Sequence, residues 1–161
     1  MSVEKVKEYL EGYGLADRIR EFDVSSATVA LAAEALGVDG ARIAKSLAFH
    51  AGDHALLVVA AGDARVDNAR FKQTFGRKAR MLSFEEAAEM VGHTPGGVCP
   101  FAVKEGVEVW LDESLKRFET VFPACGSSNS AIELTLEELE KAAKPLGWVN
   151  VCKLPEAQIG G

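Results

Sequence analysis

Apolar positions along the chain switch between two periods, and the switches outline an alternation of helices and strands. Val3, Val6, Tyr9 and Leu10 fall on one helical stripe, which predicts a helix over 3–9. Residues 19–24 are short and β-like. Residues 28–36 form an alanine-rich helical stretch closed by Gly37, with Ser26 or Ala27 at its entry. Residues 43–50 and 55–61 predict the two strands of a hairpin, joined by Ala51-Gly52-Asp53-His54. The second strand is apolar on both faces, which marks it as central and buried. Asp67 is placed to cap a helix that runs through Phe71 and stops at Gly76. Ser83-Phe84-Glu85-Glu86 has the form of a capping box and opens a helix to Val91. A loop over 92–100 follows, then strands at 107–111, 120–124 and 131–134. A second capping box, Thr135-Leu136-Glu137-Glu138, starts a helix to about Lys144, and the last nine residues or so read as tail.

Strand pairs with short turns alternate with helices, so the fold class is α/β (α+β) with a mixed, mainly antiparallel sheet. No βαβ unit with a glycine fingerprint occurs, which argues against a dinucleotide fold. The 161 residues show neither repeat nor linker and read as a single domain over 1–161, with its core at about 28–144. At that size roughly 70% of the unfolded chain's surface is buried, enough for one continuous core.

Composition narrows the classes further. With 48% hydrophobic and 26% charged residues the chain is that of a soluble globular protein. No apolar run approaches the roughly 20 residues that span a bilayer, and the N-terminus lacks a secretory h-region, so the expected compartment is the cytoplasm. Cys99, Cys125 and Cys152 are odd in number and lack zinc-ribbon or redox-pair spacing, which predicts reduced thiols. The net charge of −6 argues against a protein that coats duplex nucleic acid. Residues 65–80 depart from that balance, with six basic residues against Asp67 alone, leaving −11 for the remainder. That segment is either a solvated helix with its flanks or a local face for one end of an RNA.

Candidate chemistry collects in three segments. Lys45 interrupts the apolar strand Ile43-Ala44-Lys45-Ser46-Leu47, where it either snorkels to solvent or holds an anion at the sheet's end. Gly96-Gly97-Val98-Cys99-Pro100 lies in a loop stiffened by Pro95 and Pro100, whose amides can stabilise charge on a carbonyl oxygen. Gly126-Ser127-Ser128-Asn129-Ser130 offers hydroxyls and an amide at a strand mouth. Metal ligation by His50 and His54 is disfavoured by their spacing around a turn, and His93 reads as a loop histidine. Cys99 has no evident base beside it.

Taken in order, these segments resemble the YbaK/EbsC family, related to the editing insertion of bacterial prolyl-tRNA synthetases. The resemblance also covers Ala32-Ala33-Glu34-Ala35-Leu36-Gly37-Val38, Val59-Ala60-Ala61-Gly62-Asp63 and Leu111-Asp112-Glu113-Ser114-Leu115, and so extends from about residue 28 to 139. It implies a partly open, barrel-like sheet with surrounding helices. It further implies deacylation of mischarged tRNA in trans, without metal or organic cofactor. Lys45 would anchor the 3′ adenosine, and Gly96 and Gly97 would orient the ester. Ser46, Val98, Cys99, Pro100, Gly126, Ser127, Asn129 and Ser130 would bind or shape the substrate. The implied partners are an aminoacylated tRNA acceptor end and an aminoacyl-tRNA synthetase; no membrane is implied. Ser46 stands where the alanine-editing branch has asparagine, so that branch's amino acid does not carry over. Two other readings stay open: a non-catalytic tRNA-end binding module, and a thiol hydrolase acting through Cys99.

Overall fold

The computed structural model describes residues 2–155 apart from Pro95. Helix α1 (Ser2–Glu11) leads to the short strand β1 (Arg20–Glu21) and helix α2 (Val29–Leu36). The hairpin of β2 (Ile43–Ala51) and β3 (His54–Ala61) comes next, then β4 (Arg65–Val66), α3 (Asn68–Phe75) and α4 (Phe84–Met90). The second half contains β5 (Glu108–Asp112), β6 (Thr120–Pro123), β7 (Ser130–Ala131) and β8 (Leu134–Thr135). Helix α5 (Leu136–Ala143), β9 (Gly147–Val149) and β10 (Cys152–Lys153) complete it.

Local signals place the helices. Thr28 caps α2 by accepting from the Leu31 amide, and Gly37 ends it in the left-handed region at φ 70°. The cap is therefore Thr28, one residue after Ala27 and two after Ser26, because the threonine hydroxyl reaches the amide three residues on. Asp67 caps α3 as its sequence predicts, and the capping boxes at Ser83 and Thr135 both close.

Six strands form the main sheet in the order β8-β6-β2-β3-β5-β9, curled into an open half-barrel. The hairpin pairs antiparallel over eight positions, from Ala44 with Ala61 to Ala51 with His54. Three of the sheet's five neighbour pairs are parallel: β2 with β6, β3 with β5, and β5 with β9. The sheet is thus mixed as its class requires, and its antiparallel character comes chiefly from the hairpin. β3 is its hydrophobic spine, with Leu57, Val58, Val59, Ala60 and Ala61 all fully buried. Each buried Val or Leu there contributes about 1.5–3 kcal/mol. Phe71 and Phe75 fasten α3 by an aromatic chain, Phe49–Phe71 and Phe71–Phe75 at 4.7 Å and Phe75–Trp110 at 5.5 Å.

Two expectations change. The strand predicted at 131–134 is two: Ser130–Ala131 pairs with β1, and Leu134–Thr135 pairs with β6. The apolar run breaks because its ends serve different partners. Residues 145–152, to which the sequence gives no element, add pairing: Trp148 and Val149 extend the sheet beside β5, and Cys152 with Lys153, the first residue of the predicted tail, pairs with β4. Residues 156–161 lie outside the described residues.

Asp112 holds this last stretch down. It is 1% exposed, and its carboxylate accepts from the amides of Ser114 and Val151, both at 2.9 Å. Asp112→Ala strands the buried Val151 amide and the half-buried Ser114 amide, a loss on the order of 3 kcal/mol. Thermal denaturation should show a midpoint lower by roughly 6–12 °C; a shift within experimental scatter would mean that the stretch is held by other contacts.

Candidate functional site

The site begins at an interruption in strand pairing. On its inner edge β2 pairs with β3 over nearly its whole length. On its outer edge β6 pairs only with Ile43 and Ala44. The chain next meets that edge at the segment 80–82, where Leu82 N–H donates to Ala48 O and His50 N–H donates to Arg80 O. Backbone groups alternate between the two edges of a strand. Since those of Ala48 and His50 point outward, so do the N–H and C=O of Ser46, which face the gap with no partner strand among the described residues.

A cavity of about 220 Å³ occupies this gap. It straddles the strand edge, reached by Ile43 and Lys45 from one face of β2 and by Ala44, Ser46 and Ala48 from the other. Helix α2 closes one side with Val29 and Ala32, and Phe122 with Ala131 forms much of the rest. The placement of α2 depends on Gly62. A Cβ there would lie 2.0 Å from Gly40 O and 2.8 Å from Val29 Cγ1, so only glycine lets the hairpin approach the helix.

Five of the residues singled out in the sequence meet in the lining: Lys45, Ser46, Gly96, Val98 and Ser130. The Lys45 ammonium donates to Gly62 O at 3.2 Å and to Ala64 O. Burial lowers its pKa from the ordinary lysine value, with Arg65 nearby acting in the same direction. The Ser46 hydroxyl is shielded from solvent and has no hydrogen-bond partner among the described residues.

The other singled-out residues stand behind the lining. Gly97 packs against the late turn so closely that a Cβ would lie 2.5 Å from both Gly126 C and Ser127 N. Gly96, at φ 83°, would press its Cβ to 2.8 Å from Ala27 Cβ. These glycines thus let two loops touch, a role that the sequence alone does not separate from admitting a ligand. The Ser127 hydroxyl donates to Asn129 Oδ1 at 2.9 Å and lies 2.7 Å from Ser130 Oγ. Asn129 Nδ2 donates to Phe22 O at 2.9 Å, which turns that side chain to holding the turn against the chain before α2. Pro100 is buried and outside the lining.

Cys99 is fully buried, with Sγ 3.6 Å from His93 Nε2. Burial pushes its thiol up to about 12, and His93 Nε2 lies 2.7 Å from Phe101 O, its pKa lowered by burial. A nucleophilic cysteine needs the opposite environment, exposed and electropositive. His50 and His54 each face a separate carboxylate, Glu86 at 3.3 Å and Glu108 at 2.5 Å. Sequence reasoning missed the apolar wall from α2 and two residues at the rim, Met81 and Phe84. Their only signal was size: with Leu82, which turns into the core, they are the large apolar side chains of the charged stretch 77–86.

Mixed half-barrel, interrupted strand edge and cavity together define an α/β fold with a lined recess at a free strand edge. Residues 24–142 match the aminoacyl-tRNA editing domain family, to which this chain belongs. The uncharacterised protein YwhH of Bacillus subtilis (strain 168) is 54% identical over 154 residues, covering 95% of this chain and 98% of YwhH. Proline–tRNA ligase of Shouchella clausii is 34% identical over 104 residues, which is 64% of this chain and 18% of the ligase. A solved structure of a candidate trans-editing enzyme for prolyl-tRNA synthetase superposes with a TM-score of 0.84 at 27% identity. That match covers 94% of this chain and 97% of the other. Among the described residues, no helix is long and apolar enough to cross a membrane.

The thiols provide a direct check on the site's interior. Cys99, Cys125 and Cys152 are all buried and have raised pKa values. At pH 8 iodoacetamide should leave the native protein at its unmodified mass and add three groups in guanidinium. Fast labelling of Cys99 in the native state would show that the core around it opens to solvent.

Proposed function

We propose that this protein hydrolyses the ester of a mischarged aminoacyl-tRNA in trans, in the cytoplasm and alongside a synthetase. Family membership and the 0.84 superposition on a candidate trans-editing enzyme support the reaction class. The observation that carries the assignment to this site is that Lys45 and Gly96, 51 positions apart in the chain, line one cavity at the free edge of β2.

In this reading the terminal nucleotide binds at Lys45. Two of the ammonium's three N–H groups are taken by Gly62 O and Ala64 O, and the third donates to a ribose or phosphate oxygen. The ester carbonyl lies against the outer edge of β2, where the Ser46 N–H donates to the carbonyl oxygen. As water attacks the carbonyl carbon, charge grows on that oxygen and the donor strengthens. The bond from the carbonyl carbon to the ribose oxygen breaks, the ribose oxygen takes a proton, and the free amino acid leaves. Gly96 and Val98 bound the ester from the loop, and Ser46 and Ser130 shape the amino-acid end, with Gly97, Gly126, Ser127 and Asn129 fixing those loops. No side-chain nucleophile is required, because an aminoacyl ester is already activated and positioning lowers the barrier.

The test is a panel of mischarged tRNAs incubated with purified protein. At least one should be deacylated at a rate proportional to enzyme. Lys45→Ala should lower that rate by about 10²-fold or more while circular dichroism stays native. Lys45→Arg should fail to restore it, because the planar fork cannot replace a compact ammonium between two carbonyls. Unchanged turnover in Lys45→Ala would falsify the anchoring role. RNA binding with no hydrolysis of any member would favour a binding module.

A further inference from the structure

At the rim of the cavity two large apolar side chains stand in solvent. Phe84, the first residue of α4, is 74% exposed and Met81 is 58% exposed, yet both belong to the cavity lining. Val24, Leu31 and Leu146 are also exposed, but none of them lines it. The base under the rim is fixed: Leu82 and Ala87 are buried, and the backbone of Met81 bridges to Phe49. Phe84 therefore sits on rigid structure while contributing little of the burial energy that a phenylalanine can supply. Immediately upstream, Arg77, Lys78 and Arg80 are exposed, and none is ion-paired among the described residues. On a chain with net charge −6, three free cations leading to an exposed ring form a local exception.

The cations run along the outer edge of β2 from the ring towards the hairpin turn, with Arg80 O at His50 and Arg77 Nη1 beside Gly52. An exposed aromatic face at the end of such a run suits single-stranded nucleic acid, with a base on the ring and phosphates along the charges. We infer that Phe84, flanked by Met81, is a stacking platform for the terminal nucleobase of an RNA 3′ end whose backbone follows Arg80, Lys78 and Arg77. The base on the rim leaves the attached ribose and its ester over the cavity. This rests on the reading of the ligand as an aminoacyl-RNA, and adds a base-binding subsite outside the segments that hold the ester. The apolar rim alone would suit many partners; the adjoining positive charge selects a polyanion.

The experiment uses an uncharged RNA minihelix with 2-aminopurine as its terminal base, so that binding is read without hydrolysis. Wild-type protein should quench the fluorescence on binding. Phe84→Ala, at an exposed position that leaves the fold intact, should abolish the quench and weaken binding about fivefold to a hundredfold, as expected for one lost stack. Phe84→Trp should retain both, and Phe84→Leu should behave as Phe84→Ala. Arg80→Ala should reduce the slope of log K against log salt by about 0.7, one phosphate contact on a single strand. The platform is overturned if wild type gives no quench, if Phe84→Ala quenches and binds like wild type, or if Phe84→Leu binds as well as phenylalanine. A normal quench with no turnover on any mischarged tRNA would keep the platform and sink the hydrolase reading. Turnover with unchanged KM in Phe84→Ala would do the reverse.

Discussion

The site depends on one constraint: β2 is paired along its inner edge and deserted in the middle of its outer one. β6 stops at Ala44, and the segment before α4 does not arrive until Ala48. A buried strand edge leaves peptide groups that need partners, and the fold meets this need with a cavity instead of a neighbouring strand. Had β6 continued for two more residues, the ladder would have filled the space and the lining residues would have been core. Ser46 is the pivot, since its peptide group faces the gap and its hydroxyl lacks a partner among the described residues. The hydrogen-bonding pattern of this edge is thus left unfinished by the described chain, the kind of edge to which extended segments add in other sheets.

The surroundings keep that gap open. α2 starts at its Thr28 cap and lies close to the chain at Gly62, and its Val29 and Ala32 wall the cavity. The loop carrying Gly96 and Gly97 and the turn at Gly126 lean on each other, and that turn is bonded in its own right to the chain before α2 through Asn129 and Ser128. Lys45 bridges from β2 to the turn after β3, so the cation is oriented by main-chain carbonyls before any ligand arrives. Burial there lowers its pKa from the ordinary lysine value.

Helices were legible in the sequence because their signals are local. Asp67, Ser83 and Thr135 each satisfy amides within three residues, so no tertiary knowledge is needed to place those starts. The hairpin was legible for the same reason. Parallel partners were not: the pairing of β3 with β5 joins positions about fifty residues apart, and nothing in either segment names the other. The gap in β2 is likewise invisible, because it is the absence of a neighbour. For the site, Lys45, Ser46, Gly96, Val98 and Ser130 could be assembled only through family resemblance, which also included Cys99 although that residue lies inside the core. Phe84 went unremarked because a lone phenylalanine at a helix start ordinarily packs inward.

The contact of Gly97 with Gly126 and Ser127 has a consequence for how these loops vary among descendants of this chain. With main chain resting on main chain, neither loop can grow, shrink or acquire a side chain at the point of contact unless the other gives way. The two are coupled like meshed gears. A replacement at position 97 would misalign the chamber although no atom of that residue borders it, so a loss of turnover there would record lost geometry and be easily mistaken for lost chemistry.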